Sequence, residues 1–298
     1  METGGTKVVC AIGTGPGDVR ARVRIPTGEP SATLREAVAF FRQHTSPVAA
    51  VGIASFGPVD LDPHSPTFGF ITTTPKPGWA HTDVAGPFRA ALGVPVAFDT
   101  DVNGAALGEH MWGAARASDP VVYVTVGTGI GGGGVVHGRL LHGLLHPEMG
   151  HLRIPHDRAA DPFPGVCPYH GDCLDGLASG RALAERWGAP AEALPPGHRA
   201  WDLEAEYLAL GLVSVIGVLS PRRIVIGGGV LQHGALLPRI RRRVVALLAG
   251  YIAVRQVMAD VDTYIVPPAL GGDAGVLGAL ALAHTALARR RSDASGAE

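Results

Sequence analysis

The chain has 298 residues, 46% of them hydrophobic and 17% charged, which is enough to bury a large core and form about two domains of ordinary size. A formal net charge of −1 gives no strong field for nucleic acid or anionic membranes, so small-molecule partners are favoured. The longest apolar run covers about 13 residues, whereas a membrane helix needs about 20, and three cysteines cannot form a disulfide framework. We therefore expect a cytoplasmic protein that binds neither nucleic acid nor membrane.

Alternating strands and helices predict an α/β protein in two parts. Runs of β-branched and apolar residues predict strands at 6–12, 49–54, 94–98, 121–126, 135–136, 223–226 and 263–266. Apolar residues at helical spacing predict helices over 34–41 and 105–115. We place a domain boundary near residue 115, between a small α/β domain over 1–115 and a large one over 116–298. The last helix could pack back on the small domain.

Three glycine-rich turns lie at the ends of predicted strands. Gly4-Gly5-Thr6-Lys7 precedes a strand, a turn beginning Gly127-Thr128-Gly129 and running through residue 134 follows one, and Gly227-Gly228-Gly229 follows another. Glycine lets a phosphate approach the backbone amides closely. A single such turn is more often only a tight connection, and none matches the P-loop or dinucleotide patterns. Three together predict a nucleotide site divided between two domains.

Asp101 is the candidate catalytic base. It follows the strand predicted at 94–98, at the carboxyl end where α/β sheets bind ligands. From the residues alone an N-cap of the following helix is an equal alternative. For Asp99, two residues earlier, we expect a loop or structural role.

Cys167, His170 and Cys173 form a C-x2-H-x2-C cluster that offers three ligands of the kind zinc prefers. His151 and His156 are the candidates for the fourth. A Cys167–Cys173 disulfide and unligated loop cysteines remain open as alternatives. Cys10, within a predicted strand, is expected to be a small buried hydrophobic residue.

The order of these motifs resembles that of the ROK-family sugar kinases over nearly the whole chain. The matching stretches are ETGGTK (2–7), SFGPVD (55–60), TDVN (100–103), GTGIG (127–131), EMGH (148–151), the cysteine cluster and GGG (227–229). Within the family the chain looks similar to bacterial zinc-containing, ATP-dependent fructokinases at TTTPKPGW (72–79), CPYHGDC (167–173) and YIVPP (264–268).

The resemblance implies an actin-like ATPase, hexokinase (ribonuclease H-like) fold, with two α/β domains around a cleft. It implies ATP-dependent phosphorylation of a hexose, D-fructose above glucose, mannose or N-acetylmannosamine, with Mg²⁺ and a structural Zn²⁺, in a homodimer. A catalytically weak sugar-binding scaffold is the alternative from another class. Two departures stand out. Asp175 occupies a position where the family carries Glu, and Met1 directly precedes Glu2, so the first strand should be very short and the protein weakened.

The resemblance also implies roles for individual residues. Asp101 would be the catalytic base, and Asn103, Glu148, Asp175 and Gly57 would bind the sugar. The nucleotide would be held by Gly4, Gly5, Thr6, Lys7, Gly127, Thr128, Gly129, Gly227, Gly228 and Gly229. The resemblance selects His151 to complete the metal site with Cys167, His170 and Cys173.

Overall fold

The computed structural model describes residues 1–45 and 47–295, with side chains up to residue 290. The chain divides into two compact units. The first unit comprises Met1–Arg116, Leu140–His146 and the chain from Ala269 onwards, and the second comprises Ala117–Arg139 and Pro147–Pro268. The first stretch thus ends beside the boundary expected near residue 115. Segment 140–146 lies with the first unit, although the sequence placed it in the large domain.

The first unit is built on one five-stranded sheet with helices on both faces. Its elements are β1 (Glu2–Thr3), β2 (Lys7–Gly15), β3 (Asp18–Pro26), α1 (Pro30–Arg42), β4 (Val51–Ser55), β5 (Phe70–Ile71), β6 (Thr82–Asp83), α2 (Gly86–Leu92), β7 (Val96–Thr100) and α3 (Asp101–Trp112). A tenth helix, which we label last as α10 (Ala274–Ser295), also belongs to this unit.

The second unit is built on another five-stranded sheet. Its elements are β8 (Val121–Val126), β9 (Ile130–Val136), β10 (Arg139–Leu140), α4 (Leu174–Ala178), α5 (Gly180–Trp187), α6 (Ala200–Leu219), β11 (Arg223–Gly227), α7 (Leu236–Leu248), α8 (Arg255–Met258), α9 (Val261–Tyr264) and β12 (Ile265–Val266).

The two sheets share one strand pattern. The first has the order β3-β2-β1-β4-β7, and the second has the order β10-β9-β8-β11-β12. In each, the central strand pairs antiparallel with one neighbour and parallel with the other: β1 with β2 and β4, and β8 with β9 and β11. The two units are therefore built on the same kind of mixed sheet.

Alternation along β2 shows why both faces of the first sheet are covered. Val8 and Cys10 join the core cluster that contains Leu34 of α1, while Val9 packs with Val276 of α10. Successive side chains of a strand point to opposite faces, so an uninterrupted apolar strand needs a helical layer on each side. The expectation that Cys10 is a buried hydrophobic residue is confirmed, since its thiol is free and fully buried.

Close backbone approach fixes α10 against α3. A Cβ on Gly278 would lie 2.2 Å from the backbone of Gly104, and one on Gly52 would lie 1.9 Å from the carbonyl oxygen of Ala279. Such distances are possible only for glycine, so these positions allow the last helix to lie directly on α3 and β4.

Several element bounds differ from the sequence prediction. The glycine run over 131–134 is part of β9, not of a turn; Met149 packs onto Gly132, where a Cβ would lie 2.7 Å from the Met149 Cβ. The strand expected over 263–266 keeps only Ile265–Val266, and its first half is the helical turn α9. As expected, the first strand is very short, at two residues. In the part of the chain that the structure describes, no helix combines the length and apolarity of a membrane span.

Candidate functional site

In the first unit, the loops that follow three parallel strands begin at the same edge of the sheet. Thr3 at the end of β1 is in register with Ser55 at the end of β4, which is in register with Thr100 at the end of β7. The Gly4 turn, the loop containing Gly57 and the start of α3 therefore begin side by side. This is the edge where open α/β sheets bind ligands.

The first glycine turn is closed by its own backbone. The Gly4 amide donates to the Lys7 carbonyl oxygen at 2.9 Å, and Thr27 Oγ1 donates to the Gly4 carbonyl oxygen at 2.7 Å. Gly5, Thr6 and Lys7 are exposed. Lys76 Nζ lies 2.5 Å from the Gly5 carbonyl oxygen, a contact that the sequence did not predict, although Lys76 belongs to the TTTPKPGW motif.

Asp101 is the first residue of α3, and it does not cap the helix. Thr100 is the N-cap: its hydroxyl accepts a hydrogen bond from the backbone amide of Asn103 at 3.1 Å. The N-cap alternative for Asp101 is therefore wrong, because the helix already begins at Asp101, four residues before the predicted start. Asp101 Oδ1 accepts from the Val102 amide at 2.8 Å.

Asp99 is buried and organises the start of α3. Its Oδ1 accepts from the Thr100 amide and from Asn103 Nδ2, both at 2.8 Å. Its Oδ2 lies 2.8 Å from His142 Nε2, and this bond raises the pKa of His142. The expected structural role of Asp99 is thus to hold the side chain of Asn103, the predicted sugar ligand.

The loop after β4 contains the predicted sugar-site residue Gly57. The Val59 amide donates to His146 Nε2 at 3.1 Å, and a Cβ on Gly57 would lie 3.6 Å from that same nitrogen. Asp60 accepts from the hydroxyls of Ser65 and Thr67 at 2.5 and 2.7 Å. Asp60 therefore organises its own turn.

The other two glycine turns lie together at one edge of the second sheet. Thr125 of β8 is in register with Gly227 of β11, and these strands are parallel. Gly228 has φ +102°, and a Cβ there would lie 2.3 Å from the carbonyl oxygen of Val126. Thr128 is exposed at the apex of its turn. The second unit thus presents two adjacent turns with backbone amides and one hydroxyl.

Residues of helices α4 and α5 form hydrogen bonds with the 127–129 turn and with the residue that follows it. The Gly180 amide donates to the Gly127 carbonyl oxygen at 2.8 Å, and the Arg181 amide donates to the Thr128 carbonyl oxygen at 3.3 Å. Asp175 Oδ1 accepts from the buried Ile130 amide at 2.7 Å. One oxygen of Asp175, predicted to bind sugar, is therefore engaged by the strand that follows the turn.

The four predicted metal ligands come together in the second unit. One ligand atom from each of His151, Cys167, His170 and Cys173 lies within 4.8 Å of all the others. His151 Nδ1 is 3.5 Å from Cys173 Sγ and 3.7 Å from Cys167 Sγ, and it is 3.3 Å from His170 Nδ1. A tetrahedral zinc ion, with Zn–S of about 2.3 Å and Zn–N of about 2.0 Å, would separate S from N by about 3.5 Å and N from N by about 3.3 Å. The four side chains therefore fit one zinc ion.

The structure decides against two of the alternatives for this cluster. Cys167 and Cys173 are both free thiols, so the disulfide alternative is wrong. His156 is engaged elsewhere: its Nδ1 lies 3.2 Å from Asp172 Oδ2, and its Nε2 lies 2.9 Å from the Asp161 carbonyl oxygen. A cluster of two thiols and two imidazoles can bind a metal ion such as zinc.

Glu148 begins the short helical turn that contains His151. Its side chain meets solvent, yet the surrounding protein desolvates the carboxyl group, and this together with the Asp175 carboxylate raises the pKa of Glu148 to about 7. The predicted sugar ligand and one candidate metal ligand, His151, therefore share one turn of the backbone.

The predicted residues thus form two groups, one in each unit. The first contains the Gly4 turn, Gly57, Asp101 and Asn103. The second contains the turns at 127 and 227, Glu148, Asp175 and the cluster. Sequence reasoning missed His142 and His146, since a loop histidine carries no local pattern that predicts its partner.

A model of the ROK family matches residues 1–286. The fructokinase of Zymomonas mobilis is 46% identical to the chain over 295 residues, 96% of each protein. The fructokinase of Pediococcus pentosaceus is 40% identical over 287 residues, which cover 96% of this chain and 97% of that protein. Among solved structures, a ROK-family glucokinase from Streptomyces griseus in complex with glucose and AMPPNP superposes with a TM-score of 0.73 at 25% identity, covering 95% of this chain and 98% of that one.

Both the fold and the family expected from the sequence are confirmed by these matches. The fold is that of the ROK hexokinases and glucokinases, the actin-like ATPase fold. The chain belongs to the ROK family.

Proposed function

We propose that this protein transfers the γ-phosphoryl group of ATP to D-fructose, giving D-fructose 6-phosphate and ADP. The observation that carries the proposal is the full-length match to fructokinases, together with a carboxylate at the carboxyl end of β7. Phosphoryl transfer asks a protein mainly to position the acceptor hydroxyl and to remove its proton. The first unit offers residues for both tasks.

Asp101 would accept the proton of the sugar hydroxyl as its oxygen bonds to the γ-phosphorus and the bond from that phosphorus to ADP breaks. Asn103, whose amide is oriented by Asp99, would hold a neighbouring hydroxyl, and so would Glu148. Gly57 lets the loop backbone approach the sugar. Mg²⁺, when bound with ATP, would neutralise charge on the phosphates.

The glycine turns would hold the nucleotide. Backbone amides of Gly4 to Lys7 and of Gly127 to Gly129 suit phosphate oxygens, with the Thr128 hydroxyl as a further donor. Gly227 to Gly229, adjacent to the 127 turn through β8 and β11, would hold the adenosine side.

His151, Cys167, His170 and Cys173 would bind one structural Zn²⁺. With four protein ligands the ion has no open position, so its contribution would be to hold the loop between Glu148 and Asp175 in place. The homodimer and the cytoplasmic location expected from the sequence remain predictions. Light scattering of the purified protein tests the dimer.

ADP release coupled to a dehydrogenase, measured with fructose, glucose, mannose and N-acetylmannosamine, tests the proposed reaction. We expect the highest kcat/KM with fructose. Asp101→Asn keeps an acceptor for the Val102 amide, so it should fold normally and lose a factor of about 10² to 10⁴ in kcat. Measurable sugar binding without ADP release from any hexose would refute the kinase proposal in favour of a sugar-binding scaffold.

A further inference from the structure

Segment 140–146 belongs to the first unit although the chain on both sides of it belongs to the second. It carries two histidines at the ligand-binding edge of the first sheet: His146 reaches the loop after β4, and His142 reaches Asp99 near the end of β7. Between them Leu144 is fully exposed. The segment therefore contacts this unit through Leu140, which packs on the apolar cluster of β4, α3 and α10, and through two imidazoles.

His146 supports the Gly57 loop. Its side chain is buried, and its Nε2 accepts from the amide of Val59, a residue that is itself fully buried. An amide can only donate, so Nε2 carries the lone pair and the ring proton is on Nδ1. Because a Cβ on Gly57 would be 3.6 Å from the same nitrogen, the ring also packs against the backbone that would face the sugar.

His142 supports Asn103 through Asp99. The Asp99 carboxylate is 2% exposed. Its Oδ1 accepts a hydrogen bond from Asn103 Nδ2, and its Oδ2 accepts one from His142 Nε2. The hydrogen bond from Asn103 Nδ2 to Asp99 Oδ1 fixes the orientation of the Asn103 side-chain amide, with its NH₂ group towards Asp99 and its oxygen away from Asp99. A buried carboxylate needs such partners, since an unpaired one would be costly.

We propose that segment 140–146 is a positioning element of the sugar site, in which His146 sets the 57–59 loop and His142, through Asp99, sets the Asn103 amide. The inference rests on the proposed hexose site. Neither histidine contacts the transferred phosphoryl group in this proposal. Its consequence is selective: losing either ring should weaken sugar binding and leave ATP binding nearly unchanged.

The test compares His146→Leu and His142→Leu with His146→Gln and His142→Gln. The Gln amide can place an oxygen near the Nε2 position of His146, or an NH₂ group near that of His142, whereas Leu offers neither. His64→Leu is the matched control, because His64 is exposed in a loop of the same unit. KM for fructose, KM for ATP, kcat and the melting temperature are measured for each.

We expect each Leu variant to raise KM for fructose by about tenfold, as for loss of one buried hydrogen bond, with KM for ATP within about twofold of wild type. The Gln variants should recover most of the loss, and His64→Leu should match wild type. If a Leu variant does not fold, His146→Asn, whose amide is too short to reach Val59, replaces it with the same expectation. Lowered melting temperature with unchanged KM for fructose, or equal rises in both KM values, would overturn the proposal.

Calorimetric binding of sugar to the same variants separates this inference from the proposed reaction. If wild type binds a hexose without phosphorylating it, the proposed reaction fails. The positioning role is then decided by whether the Leu variants weaken that binding while the Gln variants keep it. If wild type binds none of the hexoses, both proposals fail.

Discussion

Replacing Asp175 should act on the nucleotide side of the reaction. Its Oδ1 accepts from the Ile130 amide at 2.7 Å, and both residues are buried. In Asp175→Ala the backbone amide of Ile130 loses its hydrogen-bond acceptor, which costs about 1–3 kcal/mol of free energy. Ile130 directly follows the 127–129 turn. We therefore expect the loss of this hydrogen bond to displace the turn.

If the whole cost falls on ATP binding, KM for ATP rises by about 5- to 150-fold, since 1.4 kcal/mol is a factor of ten. Asp175→Asn keeps an acceptor oxygen but loses the charge that makes such a bond about twice as strong, so it should lie between Ala and wild type. The assay is coupled ADP release with ATP varied at saturating fructose, then with fructose varied at saturating ATP.

A rise in KM for fructose with KM for ATP unchanged would refute this reasoning. It would show that the free oxygen of Asp175 acts as the sugar contact implied by the family resemblance. Equal rises in both would mean that Asp175 supports both substrates. The melting temperature of each variant shows whether the loss is local.

Treatment with a chelator that removes the proposed zinc ion should raise KM for fructose and for ATP before the protein unfolds; loss of zinc by metal analysis with both KM values unchanged would exclude this coupling. Glu109→Ala should lower the free energy of unfolding by about 3 kcal/mol or more, because the carboxylate accepts from the amides of residues 114, 269 and 270; Glu109→Gln is the milder control in urea titrations. Gly278→Ala should destabilise the first unit, since its Cβ would overlap the backbone of α3; a melting temperature equal to wild type would contradict that packing. Asp99 raises the pKa of His142, opposed by desolvation and by Arg289. The stability from this pair is therefore complete below about pH 6.5, the usual pKa of His, and is lost as pH rises through the raised value, so the difference in melting temperature between wild type and His142→Gln should shrink as the pH rises above about 6.5.

The sequence predicted those parts that depend on local pattern. Buried β-branched runs marked β4, β7, β8 and β11 to within a few residues, because a strand covered on both faces must be apolar throughout. Spacing alone identified Cys167, His170 and Cys173, since metal ligands on one loop need a short, fixed separation.

The parts that depend on distant contacts could not be predicted. The glycines of β9 were expected to form a turn, but they pair antiparallel with β8, and Met149 packs so closely on Gly132 that a Cβ would not fit there. Nothing near His146 in the sequence points to Val59, 87 residues away. Choosing His151 over His156 from the residues alone was likewise impossible, because the choice depends on Asp172 occupying His156.

The first unit is formed from stretches on both sides of the second unit in the sequence, and this affects how the two units can fold. The strands of its sheet all lie before the second unit in the sequence, but α10, which covers β4 and α3, comes after it. The residues of the second unit are all synthesised before that helix. A chain that lacks α10 therefore contains the whole second unit, whereas its first unit keeps an apolar sheet face exposed. A released chain that ends just before Ala274 should accordingly protect the second unit from protease and leave the first open to cleavage.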